Sequence, residues 1–449
     1  MHFRLFVPSF FVLLTPFVAT SAFAQMGSMP SMNQQGSEPA PPADSPMNMP
    51  MKMGGPTQSL RENILRHMAS GSDVEPDSTA PPMLMQMHHA WMLMLHGQGS
   101  LVEQQQTGTR GEDKLFSANW IMPMAQRNFA HSELTLRAML SLEPATISGR
   151  YYPEIFQQGE TAFGKPIIDG QHPHNLFMEL AALYDVKAGE HTLLSVYVAP
   201  VGDPALGPVA FPHRASASLD PLAPLGHHLE DSTHIAYEVV TGGVTVGRAR
   251  LEASGFHGRE PGENRWTIYT GGLDSWSARL TVNPARDWSA QYSLGHLHSP
   301  EALHAEENVL RQTASISYHH AWETNSLDAL VLWGRNHTID TPTNSNGYLL
   351  EATAHLGTRK NAPHGVWGRI ENVDRTTDLL GASAPAEETV IGRVQAYTGG
   401  YAYRILNGRW GSSSLGAQGT FYNTPDPLRS LYGDNPIGVA AVLSFQLGK

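Results

Sequence analysis

The feature that most constrains this chain is a two-residue alternation that recurs along it, with connections sorted by length. The stretch from Ser275 to Ser299 shows the unit. Trp276, Ala278, Leu280 and Val282 fall on one face, and Ser275, Ser277, Arg279 and Thr281 on the other. After a turn at Asn283–Asp287, Ala290, Tyr292 and Leu294 oppose Ser289, Gln291 and Ser293. A period of two is the period of a strand, and two such runs around a tight turn read as a hairpin. The pattern starts again near Trp91, Ser117, Glu133, Asn175, Thr192, Thr233, Thr245, Trp288, Arg311, Leu327, Gly347, Gly365, Val390, Ser412 and Ile437.

The connections alternate in length. Short ones lie around Asn128–Ser132, Val186–His191, Gly242–Val244, Asn283–Asp287, Ala321–Ser326, Gly357–His364 and Asn407–Gly411. Between them come longer ones, Pro144–His174, Pro200–Ser232 and Phe256–Asp274 being the longest. A soluble sandwich has no reason to sort its loops in this way. An outer-membrane barrel does, with short turns on the periplasmic side and long loops outside. The apolar face is then the lipid face, and the polar face lines a wet lumen. A propeller or β-helix would need a short repeat with fixed Gly or Asp spacing, and the sequence has none. The expected fold class is all-β: a transmembrane antiparallel β-barrel of about 16 strands over residues 88–449.

The N-terminus agrees with export. Arg4, an apolar run from Leu5 to Val18 and Ser-Ala-Phe-Ala at 21–24 make a signal peptide over residues 1–24. After Ala24 no apolar run approaches the roughly 20 residues of a spanning helix. The chain has no cysteine, so packing and hydrogen bonds hold it without disulfides. A formal net charge of −12 argues against nucleic acid as a partner. The expected partners are outer-membrane lipid and lipopolysaccharide, the barrel assembly machinery, and a small solute or metal ion. Residues 25–87 form a leader rich in Met and Pro. Within it, Ser59 and Glu62 make a capping-box pair, and Leu60, Ile64, Leu65 and Met68 share a face, which predicts a short amphipathic helix near 60–69.

Three sets of residues could carry function. Arg137, Glu143, Glu179, Arg248, Arg250, Glu252, Arg279, Glu351, Arg369, Glu371 and Arg393 occupy positions read as polar-faced and are expected to line the lumen. Met83, Met85, Met87, His88, His89, Met92, Met94, His96, Met122 and Met124 are thioethers and imidazoles, donors that suit copper. Met29, Met32, Met47, Met49, Met51 and Met53 extend that set into the leader. The same methionines would also serve as linker and gap-filler. Third, His172, His174, His213, His227 and His228 fall in the long loops. They could converge on a metal or ligand, or pair with acids such as Glu230, Asp231 and Glu260. No catalytic set is expected. His228, Asp231 and Ser232 are neighbours in sequence, but neither G-x-S-x-G nor H-E-x-x-H occurs. An outer-membrane enzyme and a sealed structural barrel are the alternative readings.

The architecture and the methionine-rich leader resemble the copper resistance protein B type of outer-membrane protein. That resemblance implies copper as the ligand. The sequence departs from it in having no histidine between Gln25 and Arg66. Outer-membrane barrels also often end on Phe, whereas Phe445 is followed here by QLGK.

Overall fold

The computed structural model describes residues 55–341, 343–358, 361–384 and 388–448. The expected signal peptide and the leader methionines up to Met53 lie outside the described residues. Strand β1 (Leu84–His88) precedes three long wall strands, β2 (Trp91–Gln106), β3 (Lys114–Asn128) and β4 (Ser132–Leu140). An excursion then carries a hairpin of its own, β5 (Tyr152–Ala162) and β6 (Lys165–Gln171). The wall resumes with β7 (Phe177–Lys187), β8 (Thr192–Gly202), β9 (Ala236–Val246), β10 (Ala249–His257), β11 (Ser275–Ala285) and β12 (Trp288–His298). It continues through β13 (Asn308–Trp322), β14 (Asn325–Thr338), β15 (Thr343–Thr358), β16 (Asn361–Thr376), β17 (Val390–Asn407), β18 (Gly411–Asn423) and β19 (Ile437–Leu447).

Every wall neighbour is antiparallel, and β19 pairs back onto β2, Gly438 with Gln106 and Gln446 with Gln98. Sixteen strands therefore close on themselves and leave no sheet edge in the wall. β1 is extra. It folds back through His88–Trp91 and pairs Met85 with Met94 on the stretch of β2 below the end of β19.

The direction of burial answers which face meets lipid. Along β11, Arg279 is 3% and Thr281 4% exposed, whereas Trp276 is 47% and Leu280 46% exposed. Polar side chains point in and apolar ones out, the reverse of a soluble core. Leu194, Val196, Val244, Leu251, Val331, Leu350 and Val439 continue the outward apolar band. Near the short turns, Trp288 stacks with Tyr318 at 4.6 Å and His320 with Trp322 at 5.9 Å on the outer surface. Trp276, Tyr348, Tyr397 and Phe421 are exposed toward the other end. Aromatic girdles of this kind mark the two membrane–water boundaries.

One turn lies elsewhere than the alternation suggests. β9 runs on to Val246, and the chain reverses at Gly247 (φ +60°) and Arg248, pairing Val246 with Ala249. Gly-Gly at 242–243 looks like a turn but is strand, while a glycine at the first turn position fits the two-residue hairpin at 247–248.

Besides the β5–β6 hairpin, which packs Ile155 and Phe156 against Val373, Val394 and Tyr422 of the wall, two segments fill the lumen. The first is the leader from Thr57 to Met83. Helix α1 (Leu60–Ile64) is capped by Ser59, whose Oγ accepts from Glu62 N at 3.3 Å, while Glu62 Oε2 accepts from Gln58 N at 2.8 Å. Leu60, Ile64 and Leu65 pack on Leu193 of β8. Such burial is worth roughly 1.5–3 kcal/mol per large aliphatic side chain. The helix is shorter than its amphipathic pattern: Leu65 is its C-cap, His67 takes φ +49°, and the carbonyls of His67, Ala69 and Gly71 beyond it go to Arg137. The second filler is the β8–β9 connection. No residue from Asp203 to Ile235 is exposed. It crosses the lumen to β15 and β16, where Ser216 Oγ bonds Glu351 at 2.7 Å and Leu225 N bonds Glu371 at 2.5 Å.

Candidate functional site

The lumen wall supplies the fixed charges of the site. Arg137 on β4 and Glu179 on β7 pair bidentately at 2.7 and 2.8 Å. Arg250 meets Glu252 at 2.8 Å, and Arg279 meets the same carboxylate at 3.0 Å. Arg369 meets Glu351 at 3.2 Å and Asp220 of the inserted connection at 3.3 Å. All of these side chains, with Glu371, are buried inside the barrel. Glu143 is also buried but lies on α2 (Glu143–Thr146), above the end of β4, where it accepts from His174 N at 2.8 Å. Two residues of the lumen set sit elsewhere. Arg248 is exposed in the β9–β10 turn and donates to Pro284 O. Arg393 faces outward beside Tyr348 and pairs with Asp374 at 2.5 Å, because Val394 and Ala396 hold the lumen parity of β17.

The wall charges are bonded to the two fillers. Arg279 also binds Asp73 of the leader and donates to Ser72 Oγ at 3.0 Å. Glu179 accepts from Gly71 N at 3.0 Å, and Asp203 accepts from Ser70 Oγ at 2.7 Å. Arg369 donates to Leu222 O at 3.0 Å. Glu75 of the leader accepts from Ala215 N at 3.0 Å, so the two fillers touch each other. Beside that contact lies a cavity of about 450 Å³, bounded by Glu75, Met83, Met94, His213, His319 and Asp328 among others.

The methionines divide. Met83, Met94, Met122 and Met124 are buried in one apolar cluster with Met139 and Met178, and Met68 and Met92 pack against it. His96 is buried on the same strand face as Met94. Met85 and Met87 are exposed, as are His88 at the end of β1 and His89 in the β1–β2 turn. Met139 and Met178 are not singled out by the sequence, and Met68 enters there only as part of the helix face. The signal for Met139 was present: it shares the face of Arg137 and Ser141 and so breaks the polar pattern with a thioether.

The loop histidines assemble above this cluster. His213 Nε2 lies 3.1 Å from Met139 Sδ. His174 and His234 rings are 5.4 Å apart, His234 and His227 5.2 Å, His227 and His228 5.3 Å, and His172 and His228 5.9 Å. Most of these rings are also tied to acids: His227 to Asp231 at 2.6 Å, His174 to Glu143 at 2.9 Å, His172 to Glu160 at 3.0 Å and His228 to Glu260 at 3.3 Å. Burial pushes the imidazole of His227 down to about 4, against the pull of Asp231. It pushes His213 and His234 well below their usual range, and neighbouring histidines add to this. These rings are therefore neutral at pH 7 and able to ligate. Burial alone would raise Asp231, but Arg214 and His227 outweigh it and keep it ionised. His228, Asp231 and Ser232 do not form a relay. Asp231 bonds His227, and Ser232 Oγ bonds Glu260 at 3.0 Å and Arg311 at 2.8 Å.

A further group that the sequence did not single out lies in the long-loop region. Glu301, His304 and Asp378 form one potential metal-ligand set, and His304, Glu307 and Glu388 another, each with donor atoms within 4.8 Å of one another. A hydrogen bond to Asp378 leads in raising His304 to about 9.

No family model matches this chain, and no curated protein matches its sequence. Solved structures do match its fold. An anion-selective porin from Comamonas acidovorans superposes with a TM-score of 0.50 at 11% identity, over 79% of this chain and 99% of that one. OprB of Pseudomonas putida superposes with a TM-score of 0.50 at 9% identity, over 80% of this chain and 94% of that one. Closed wall, lipid-facing band and these likenesses define a 16-stranded antiparallel barrel resembling bacterial outer-membrane porins, resident in the outer membrane.

Proposed function

We propose that this barrel binds and passes a small cation across the outer membrane, and that its cargo is copper. The observation that carries the reading is the composition of one lumen wall. Eight thioethers, Met68, Met83, Met92, Met94, Met122, Met124, Met139 and Met178, gather on the inner side of β2, β3, β4 and β7 and on the segments packed there. Apolar filling alone could use Leu or Val at these positions. Repeated thioether beside imidazole selects a soft ion over a hard one. The long-loop histidines lead from the outer side toward the same wall, which supports a route through ligands. The carboxylate set around His304 would collect divalent cations near its start.

Reconstituted into liposomes, the full-length protein should admit Ag(I), a redox-inert stand-in for Cu(I), faster than protein-free vesicles. Planar bilayers should show small, intermittent conductance, because both fillers must shift before an ion passes. A silent barrel that also fails to load vesicles with Ag(I) would favour the sealed-barrel reading, which the lack of any exposed residue over 203–235 supports.

A further inference from the structure

The register places four soft donors at one level of the lumen. His96 of β2 sits directly opposite Met122 of β3. Cross-strand partners on one face have Cβ atoms about 4.5–5.5 Å apart. The next pairing matches Ile121 with Leu140 and Met124 with Arg137, which brings Met122 level with Met139 of β4. From the other side the inserted β8–β9 connection delivers His213, with its Nε2 3.1 Å from Met139 Sδ and its ring centre 5.6 Å from that of His96. Thus three wall strands and one inserted segment bring these side chains to one level of the lumen.

The place has the properties of a built site. His96 is 3% exposed, and its Nε2 has no hydrogen-bond partner. A buried polar atom left in that state calls for an explanation, and an ion is one. Met122 is fully buried, and Met139 is 2% exposed. Trp120 packs on both imidazoles, 5.1 Å from His96 and 4.3 Å from His213, and shields them from solvent. The donors are two nitrogens and two thioether sulfurs, all neutral when they ligate. Mg²⁺ and Ca²⁺ prefer oxygen ligands, whereas this set suits a soft monovalent ion. Ligands at about 2.0–2.3 Å from one ion stand roughly 3–4 Å apart, so the His213–Met139 separation needs little adjustment.

We infer that His96, Met122, Met139 and His213 bind one Cu(I) ion, with His213 fastening the inserted connection to the wall through the metal. The inference deepens the copper reading and rests on it. It adds a defined occupancy and a ligand from the inserted segment.

The test uses the full chain in detergent, its folded state checked by circular dichroism and heat-modifiable gel mobility. Cu(I) is titrated against a chromogenic chelator, and the metal's surroundings are read by X-ray absorption. Wild type should show mixed nitrogen and sulfur scattering. His96→Ala and His213→Asn should each lower stoichiometry by one tightly bound ion per chain and reduce the nitrogen contribution. Met122→Leu with Met139→Leu should do the same through sulfur. Met85→Leu with Met87→Leu, on the exposed hairpin, should leave both unchanged. If folded His96→Ala and His213→Asn retain wild-type stoichiometry and nitrogen scattering, the site is overturned while the copper reading stands. If wild type itself binds no Cu(I), both fall. If the three site variants lose the ion yet Ag(I) still enters vesicles at the wild-type rate, the site holds but lies off the route, and the passage reading fails alone.

Discussion

The wall made by β10, β11, β15 and β16 and the wall made by β2, β3, β4 and β7 share a backbone but use their lumen-facing side chains differently. On the first wall, Arg250 and Arg279 both pair with Glu252, Arg369 pairs with Glu351, and these groups with Glu371 also hold Asp73, Ser216, Asp220 or Leu225 of the fillers. The second wall carries the thioether cluster, weak acceptors that anchor little, and beside it Gln126, Arg137, Glu179 and Asp185, which do hold the leader. The first wall therefore spends its charges on the contents of the lumen, whereas the second leaves its thioethers uncommitted. A charged lumen is not in itself evidence of an ion path, since here the charges are largely consumed in holding the plug. The thioether wall is the side left for cargo.

The largest expected break in this contrast is at Arg137, which holds the leader through more hydrogen bonds than Gln126 or Asp185 of the same wall. Its guanidinium holds three leader carbonyls and both oxygens of Glu179. Removing one member of a buried pair leaves the other uncompensated, typically at a cost of about 3–5 kcal/mol. Arg137→Leu should free the leader while the sixteen-strand wall stays folded. Trypsin should then cut after Arg61 and Arg66 much faster than in wild type, and bilayer conductance should rise. Unchanged protection in a folded variant would show that the leader is held elsewhere.

Gly71→Ala tests the same seat more gently. Gly71 has φ +56°, and an added Cβ would lie 2.5 Å from Asp203 O. Strain of this kind costs on the order of 1–3 kcal/mol, or roughly 5- to 150-fold in the docking equilibrium. The rate of tryptic cleavage should rise within that range. A variant as protected as wild type would mean that the leader has slack at Gly71. On the opposite side of the comparison, Met139→Leu conserves volume and should change stability by less than about 1.5 kcal/mol. Its Ag(I) retention should fall nevertheless, measured by equilibrium dialysis of the folded protein. Equal loss of stability and retention would reduce the thioether to a packing group.

What the sequence disclosed follows from where a two-sided environment acts. Water within and lipid without impose a period of two, so Arg279 and Leu280 declare their faces and each strand start is readable to within a few residues. Parity is fragile at strand ends. Arg248 was counted with Arg250 although a turn intervenes, and Arg393 was placed with the lumen although Val394 takes that side. α1 was legible through Ser59 and Glu62, because a cap is local chemistry. The place where the leader docks was not, since nothing within the leader says that Arg137 will take its carbonyls. The inserted connection was equally opaque: residues 203–235 carry no periodicity, and their burial depends on Glu351 and Glu371 more than a hundred residues away. The His96–Met122 pairing needed a register that alternation alone does not supply.

The smallest effect separates the fillers from the wall by pH. Glu75 lies where the leader meets the inserted connection, and burial raises its carboxyl to about 7; the N–H of Ala215, Arg214 and His319 oppose this, and Asp328 adds to it. Below about pH 4.5, the ordinary range for a free glutamate, the docked and released leaders are both protonated and docking carries no penalty from this group. Between about 4.5 and 7 the released leader ionises while the docked one does not, so docking weakens as pH rises. Above about 7 both are charged and the dependence ends. Asp73, raised to about 7 by burial against the pull of Arg279, acts in the same direction. Acid pH should therefore tighten the plug: an acid-active protease should cut the leader more slowly at pH 5 than at pH 6.5, after correction on an unfolded control. Glu75→Gln should shrink that difference without abolishing it, because Asp73 remains. A leader released more readily at pH 5 than at 6.5 would reverse the sign and place the plug's acid response on the histidines of the inserted connection instead.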